Sequence, residues 1–331
     1  MIKDEDVIGL GLESSCDETA ASIVKNGKEV LSNIIFSQVR LHEEYFGVVP
    51  EIASRAHLEV INGVIDTAMK EAGVDFKRLN YVAVTNRPGL TGSLLIAVQS
   101  AKTLSYTLDI PLIGINHLEA HLYAPFLEGH ELKFPYIGLL ISGGNTVVFE
   151  VKGIGDMEVL AKTTDDAVGE AFDKVAKYLD LSYPGGPIIE KLAKKAVHKK
   201  SIFPKILPDA EDKRFSYSGL KTAVVNFVKK NTDMDKTEIV YSFQESALEL
   251  LVRKVFLLSR EKNIADIVVA GGVASNGRLR EMLNSAKRDE KIIVPSPALC
   301  TDNAAMVGGL GYHYYIQNRL DDVMLEVKAK A

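Results

Sequence analysis

The sequence predicts an α/β protein of two lobes, each a mixed sheet covered by helices. The chain has 331 residues, more than one ordinary core fills and few for three. Short apolar strands alternate with helix-length amphipathic segments, the arrangement that lays helices on a sheet. A hairpin of two apolar strands joined by a small polar turn occurs near the start and again before the midpoint, and reads as a degenerate internal repeat.

The first hairpin runs as a strand over 7–12, a polar turn over 13–19 and a strand over 20–24. The second is Tyr136–Ile141, a turn through Ser142, Gly143, Gly144, Asn145 and Thr146, and a return over 147–151. Between them the spacing of Ala53, Val60, Ile61, Val64, Ala68 and Met69 predicts a helix, Pro50–Ala72, with proline in its first turn and Gly73 as its cap. A strand over 81–85, a turn through Arg87, Pro88 and Gly89, a helix over 93–108, a strand over 112–115 and a helix His117–Leu127 follow. In the last third a helix Lys236–Lys262, a strand over 267–270, a helix over 276–286, a strand over 292–294 and a closing helix over 302–317 resume the alternation. Residues 183–219 carry Pro184, Pro187, Pro204 and Pro208 among charges and read as an irregular insertion, placed at about 182–219. The expected division is a first lobe over 1–112, with a C-terminal helical segment of about 308–331 packing back on it, and a second over 113–307.

Hydrophobic residues make up 47% and charged residues 25%, enough apolar material for a large interior. No apolar run approaches the roughly 20 residues that cross a bilayer, and Lys3, Asp4, Glu5 and Asp6 open the chain without a signal-peptide pattern, so a cytoplasmic protein with no membrane association is expected. Cys16 and Cys300 are too few for a disulfide framework and read as reduced thiols. A net charge of −5 argues against non-specific coating of nucleic acid, though it leaves room for a local basic patch.

His117 and His121 stand four apart on a predicted helix, so both imidazoles project from one face and can grip one metal ion. Leu118 occupies the position where the His-Glu-x-x-His zinc proteases carry their acid, which weakens a protease reading. Asp302, in Thr301-Asp302-Asn303, is the candidate third ligand, and a helix N-cap fits the same position equally well. Two histidines and one carboxylate leave coordination positions open for a substrate oxygen on Fe2+, Zn2+ or another divalent ion.

Glycine turns supply backbone amides that can point together at phosphate oxygens, and Ser142-Gly143-Gly144 is one such turn, or a plain hairpin. The other hairpin tip carries Ser14, Ser15, Asp17 and Glu18, an acid pair able to orient a metal, a water or an attacking amine, or merely a solvated turn. Gly271-Gly272-Val273 leaves a strand toward Asn276, whose amide can bond a base or ribose. Glu170 and Asp173 lie one helical turn apart, with Asp173 able to accept from ribose hydroxyls, and Tyr183 to Pro187 offers a stiff glycine loop. Hairpin, hairpin and strand-glycine-helix, in that order, is the layout of sugar kinases, actin and the heat-shock ATPases. The expected fold is thus two actin-like, ribonuclease H-like lobes with a nucleotide cleft between them.

The residues then resemble one family, the tRNA adenosine threonylcarbamoyltransferases, formerly described as O-sialoglycoprotein endopeptidases. The matching strings are Glu13-Ser14-Ser15-Cys16-Asp17-Glu18-Thr19, Gly47-Val48-Val49-Pro50-Glu51, His117-Leu118-Glu119-Ala120-His121, Gly169-Glu170-Ala171-Phe172-Asp173-Lys174, Tyr183 to Pro187, Phe215 to Lys221, Gly271-Gly272-Val273 and Thr301-Asp302-Asn303. They run nearly end to end, and the Cys-Asp-Glu tip looks like the bacterial or organellar branch. Arg87, before Pro-Gly-Leu, and Asn145, after Ser-Gly-Gly, depart from the family's usual glycine and histidine.

The resemblance implies that His117, His121 and Asp302 hold the metal, while Leu140, Ile141, Ser142, Gly143, Gly144, Asp173, Gly186 and Asn276 contact threonylcarbamoyl-AMP. The implied reaction is attack by the N6 amine of an adenosine beside the anticodon on the carbamoyl carbon, with AMP leaving and Asp17 or Glu18 accepting the proton. The implied partners are tRNA, a metal-free paralogue that forms a heterodimer through the Pro50–Ala72 region, and a small P-loop ATPase. Lys191, Lys194, Lys195, Lys199, Lys200, Lys205, Lys213 and Arg214 form a candidate phosphate-contacting patch or a solvated face. The rivals are a small-molecule kinase of the same fold, a metalloprotease, and a nucleotide-gated assembly subunit without activity.

Overall fold

The computed structural model describes residues 5–207, 209 and 212–330, so Lys3, Asp4 and Pro208 lie outside the described residues. The chain forms two compact units, Met1–Glu131 with Pro297–Ala331, and Leu132–Ser296. In chain order the first unit contributes β1 (Ile8–Glu13), β2 (Glu18–Lys25), β3 (Glu29–Ser37), α1 (Val39–His42), α2 (Pro50–Ala72), β4 (Tyr81–Arg87), α3 (Thr91–Leu108), β5 (Leu112–Asn116) and α4 (His117–Leu127). The second contributes β6 (Tyr136–Ile141), β7 (Thr146–Gly153), β8 (Asp156–Lys162), α5 (Val168–Tyr178), α6 (Gly185–Ala193), α7 (Ser218–Lys230), α8 (Lys236–Lys262), β9 (Asp266–Ala270), α9 (Gly277–Ala286) and β10 (Lys291–Ile293). The first unit closes with α10 (Pro297–Cys300) and α11 (Ala304–Ile316).

Each unit has one five-stranded sheet, ordered β3-β2-β1-β4-β5 and β10-β9-β6-β7-β8. Both are an antiparallel three-strand meander whose first strand pairs in parallel with a later one, which pairs in parallel with the last. The repeat seen in the two hairpins therefore extends to whole sheets.

The central strands are read from sequence because they are apolar on both faces. All six residues of β1 and of β6 are buried. Strands β3 and β8 were not foreseen: each lies at a sheet edge, and most of its residues are exposed or half-buried, so no apolar alternation marks it. Helix α2 buries Ala53, Ala56, Ile61, Val64, Ile65, Ala68 and Met69 against that sheet. It stops at Gly73, which takes φ 64° and returns its N–H to Lys70 O, the left-handed cap glycine favours.

The expected boundaries at 112/113 and 307/308 shift to 131/132 and 296/297. Strand β5 is not the start of a second lobe, because it pairs with β4 in the first sheet and delivers α4, which packs on α11. The helical segment expected over about 308–331 ends at Ile316. Beyond it an irregular tail bridges Leu112 at Asp321 and packs Leu325 and Val327 on the first core. The insertion is also partly helical. Pro184 is the N-cap of α6 and Pro187 lies in its first turn, positions where a missing N–H breaks nothing. The irregular stretch after α6 is tied to α8 instead: Glu238 accepts the N–H groups of Val197 and His198, and Ser242 those of Ile202 and Phe203. Both cysteines are free, and among the described residues no helix is long and apolar enough to cross a membrane.

Candidate metal centre

The carboxyl ends of the parallel strands β1, β4 and β5 each present a polar residue, Glu13, Thr85 and, just past Asn116, His117. Such strand ends are where α/β sheets bind ligands. Asn116 caps α4 by accepting the Leu118 N–H, which starts the helix at His117 and puts His121 one turn on. The two rings lie edge to face with centroids 4.6 Å apart. Their Nε2 atoms converge on Asp302 Oδ1, at 3.5 Å from His117 and 3.0 Å from His121. Two ligand atoms each about 2.1 Å from one ion stand about 3.0–3.4 Å apart, so the spacing of the triad can accommodate an ion.

Asp302 is free for this because it does not cap α11. Asn303 does so, accepting the Met306 N–H at 3.1 Å, which settles the alternative left open in the sequence. The depth of α11 on the sheet is set by Gly11 in β1, where an added Cβ would lie 2.3 Å from Ala304 O and 2.5 Å from Gly308 N. Backbone meets backbone there, and the helix start that carries Asp302 is held at the sheet end.

Glu13 completes the site and was missed in the sequence, where it read as part of a polar turn. It is the last residue of β1 and fully buried. Its Oε2 accepts from His117 Nδ1 at 2.9 Å and from Thr85 Oγ1 at 2.6 Å, and its Oε1 from the Ser15 N–H at 2.6 Å. A carboxylate on Nδ1–H fixes the His117 tautomer and leaves Nε2 for an ion. The signal was an acid closing a wholly apolar strand, since a buried charge must be paired. His121 Nδ1 is buried with no hydrogen-bond partner among the described residues, so that ring is oriented by packing and by Asp302.

The charges fit a cation. Burial raises the Asp302 carboxyl, but the imidazoles of His117 and His121 outweigh it and hold the group below the usual carboxylate range. Glu13 follows the same logic, with burial overcome by His117. Burial lowers His117, yet Asp302 and Glu13 lift it well above the ordinary histidine value, so a proton occupies the place a metal would take. His121 is lowered by burial, which favours the neutral imidazole a metal requires. These charges suit a divalent ion, which His117, His121 and Asp302 would hold, with Glu13 behind His117.

Asp17, on the turn between β1 and β2, and Glu18, the first residue of β2, are half-buried. Burial first, then the negative charges of Asp302 and Asp17, push the Glu18 carboxyl up to about 10. Glu18 therefore keeps its proton at neutral pH.

In the second unit the predicted turns gather at the carboxyl end of β6. Gly143 and Gly144 are exposed, with nothing within 4 Å of an added Cβ, so their amides are open to a ligand. Gly169 donates its N–H to Ser142 O, and Gly271, at φ 91°, lies so close that a Cβ would meet Ile141 O at 2.4 Å. Leu140 and Ile141 are fully buried strand residues, so only the turn beyond them presents open backbone. Asp173 Oδ1 accepts the Gly185 N–H at 2.7 Å, which brings it beside Gly186, whose Cα faces open space. The Asn276 side chain is committed to capping α9 through Leu279 and to Gln244 Oε1 at 3.1 Å. Glu190, not singled out in the sequence, accepts the neighbouring Gly277 N–H at 3.2 Å. Of the departing positions, Arg87 Nη1 donates to Asn86 Oδ1, while Asn145 closes its turn through its backbone N–H to Ser142 Oγ.

Sheet topology and triad together define an actin-like α/β protein with a candidate two-histidine, one-carboxylate metal site. Among solved structures, this chain is similar to HypF of T. kodakarensis, with a TM-score of 0.65 at 15% identity over 94% of this chain and 48% of that one. It is also similar to component A of the (R)-2-hydroxyglutaryl-CoA dehydratase of Acidaminococcus fermentans, with a TM-score of 0.55 at 14% identity over 94% and 99% of the two chains. These likenesses confirm the fold. The family model for tRNA N6-adenosine threonylcarbamoyltransferase matches residues 29–309. Relatives of that name are 46% identical over 96% of each chain in Clostridium perfringens and 48% identical over 97% of this chain and 96% of the relative in Treponema denticola. The chain belongs to the tRNA N6-adenosine threonylcarbamoyltransferase family and is a transferase that modifies tRNA.

Proposed function

We propose that the chain moves the threonylcarbamoyl group of threonylcarbamoyl-AMP onto N6 of the adenosine 3′-adjacent to the anticodon in tRNAs reading ANN codons, forming N6-threonylcarbamoyladenosine. N6 attacks the carbamoyl carbon, the bond from that carbon to the phosphate oxygen breaks, AMP leaves, and N6 gives up a proton. The supporting observation is the convergence of both histidine Nε2 atoms on Asp302 Oδ1, with Glu13 behind His117. When bound, Fe2+ or Zn2+ supplies a Lewis acid that polarises a substrate oxygen.

The chain's own residues do the rest. An exocyclic base amine is a poor nucleophile, so holding it in place supplies much of the acceleration. Asp17 takes the N6 proton. Glu18, which keeps its own proton, acts as a hydrogen-bond donor. The open amides of Ser142 to Gly144 hold phosphate, offsetting charge as AMP departs, while Asp173 and Gly186 meet the ribose. Asn276 contributes by fixing its turn.

For tRNA, Lys194, Lys205, Lys213 and Arg214 are drawn to Glu190, Glu249, Glu261 and Asp212. The proposed contact patch therefore narrows to Lys191, Lys195, Lys199 and Lys200. The metal-free paralogue is assigned to the groove of α2 and α3, lined by Leu58, Ile61, Ile65, Phe76, Ile96 and Leu104, where Leu58 is 64% exposed. A small P-loop ATPase completes the set in the cytoplasm.

The test is a nucleoside mass spectrum of tRNA incubated with the protein, its partners and threonylcarbamoyl-AMP. His117→Ala and Asp302→Ala should each lose both bound metal and nearly all N6-threonylcarbamoyladenosine. Full activity in both metal-free variants would overturn the proposal.

A further inference from the structure

The turn that carries Asp17 and Glu18 is pinned at three successive carbonyls by three separate segments. Ser15 O accepts the Leu90 N–H at 2.8 Å, Cys16 O accepts from the His57 ring at 3.0 Å, and Asp17 O accepts the Gln38 N–H at 3.0 Å. Two of these donors are backbone groups. His57 is the only side chain of the three, and it reaches the turn from α2.

Its other nitrogen, Nδ1, meets Thr19 Oγ1 at 2.7 Å, on the far side of the acid pair. One imidazole thus spans the turn, touching residue 16 before the acids and residue 19 after them. Because Cys16 O can only accept, Nε2 carries the proton and Nδ1 accepts the Thr19 hydroxyl. Burial lowers the ring's basicity, which keeps this neutral tautomer. The ring is fully buried on a helix face otherwise made of Ala53, Ala56, Ile61, Val64, Ile65, Ala68 and Met69. Packing alone would be served there by another apolar side chain, and both polar atoms of the imidazole are instead directed at the turn.

We infer that His57 is a positioning residue for the transfer step, holding residues 16 to 19 at both ends so that Asp17 and Glu18 keep the directions they need. The inference rests on the acid-pair role proposed above. It requires that His57 act through those acids and leave the metal site intact.

The experiment measures kcat, KM for tRNA and metal content of the holoenzyme with its partners and threonylcarbamoyl-AMP. His57→Ala should lower kcat about 10- to 100-fold, the cost of a misplaced reacting group, with full metal content and KM within about twofold. His57→Gln, whose amide can still donate to Cys16 O, should recover much of that loss. In an Asp17→Asn background, His57→Ala should add no more than about a twofold further loss, because groups acting as one unit are not additive. Wild-type kcat in folded His57→Ala, loss of its metal, or a full additional loss in the Asp17→Asn background would overturn the inference. Should His57→Ala fail to fold, Thr19→Val, which removes the hydroxyl from Nδ1, takes its place with the same expectations. Full activity in Asp17→Asn and Glu18→Gln would sink the acid-pair reading and this inference together. Loss in those two with none in the His57 and Thr19 variants would sink this inference alone.

Discussion

At His117 two carboxylates compete for one imidazole, Glu13 at Nδ1 and Asp302 at Nε2. Burial works against a charged ring, yet the two acids lift its basicity well above the ordinary value, so without an ion the proton on Nε2 stays at neutral pH. An ion must displace that proton. Affinity should therefore rise about tenfold per pH unit until the raised value is passed. The linked stability has the opposite sign: the metal-free protein gains from this proton below the ordinary histidine value and loses that gain as pH climbs through the raised one. Calorimetric titration of Zn2+ into metal-free protein at several pH values measures the slope. Glu13→Gln removes the charge behind Nδ1 and should weaken binding about 10- to 100-fold. Equal affinity in the variant would show that Glu13 merely fills space. Glu13 is also where sequence reading fell short, because an acid beside a polar turn looks solvated until its partners Thr85 and His117, distant in sequence, are brought to it.

At the scale of elements, the site depends on how closely α11 approaches β1. Gly11→Ala places a methyl group 2.3 Å from Ala304 O, where only backbone can give way. Overpacking of that kind costs about 1–3 kcal/mol or more, and here it should also displace Asp302. Thermal unfolding and Zn2+ titration should show a lowered Tm and weakened metal binding together. Gly63→Ala, on an exposed face of α2 with nothing within 4 Å, should leave metal binding unchanged and Tm equal or higher. A Gly11→Ala protein with unaltered metal affinity would mean that Asp302 is held by something other than α11. Elements with strong local signals were legible in the sequence: α2 from its proline and Gly73, and α8 as a long helix over Lys236–Lys262, whose ends the structure shows capped by Asp235 and Asn263. Edge strands β3 and β8, and α6 with its starting prolines, were not, because their identity comes from pairing and packing that one sequence window does not contain.

Across the whole molecule, one sheet topology occurs twice and presents two different sets of groups at its strand ends. In the first unit the parallel strand ends carry Glu13, Thr85 and His117; in the second the corresponding ends of β6 and β9 carry the Ser142 and Gly271 turns. The hairpins announced that repeat, whereas the boundaries did not: β5 belongs to the first sheet by pairing alone, and nothing in its sequence distinguishes it from the start of a second lobe. The triad was legible as two residues, His117 and His121. Its third member was ambiguous until Asn303 proved to be the helix cap. Whether these three side chains share one divalent ion can be read from an anomalous-difference map of crystals of the metal-loaded protein, recorded at the metal's absorption edge. It should show a single strong peak about 2.0–2.2 Å from His117 Nε2, His121 Nε2 and Asp302 Oδ1. A map with the metal's signal elsewhere, and none among those three atoms, would show that they do not share an ion.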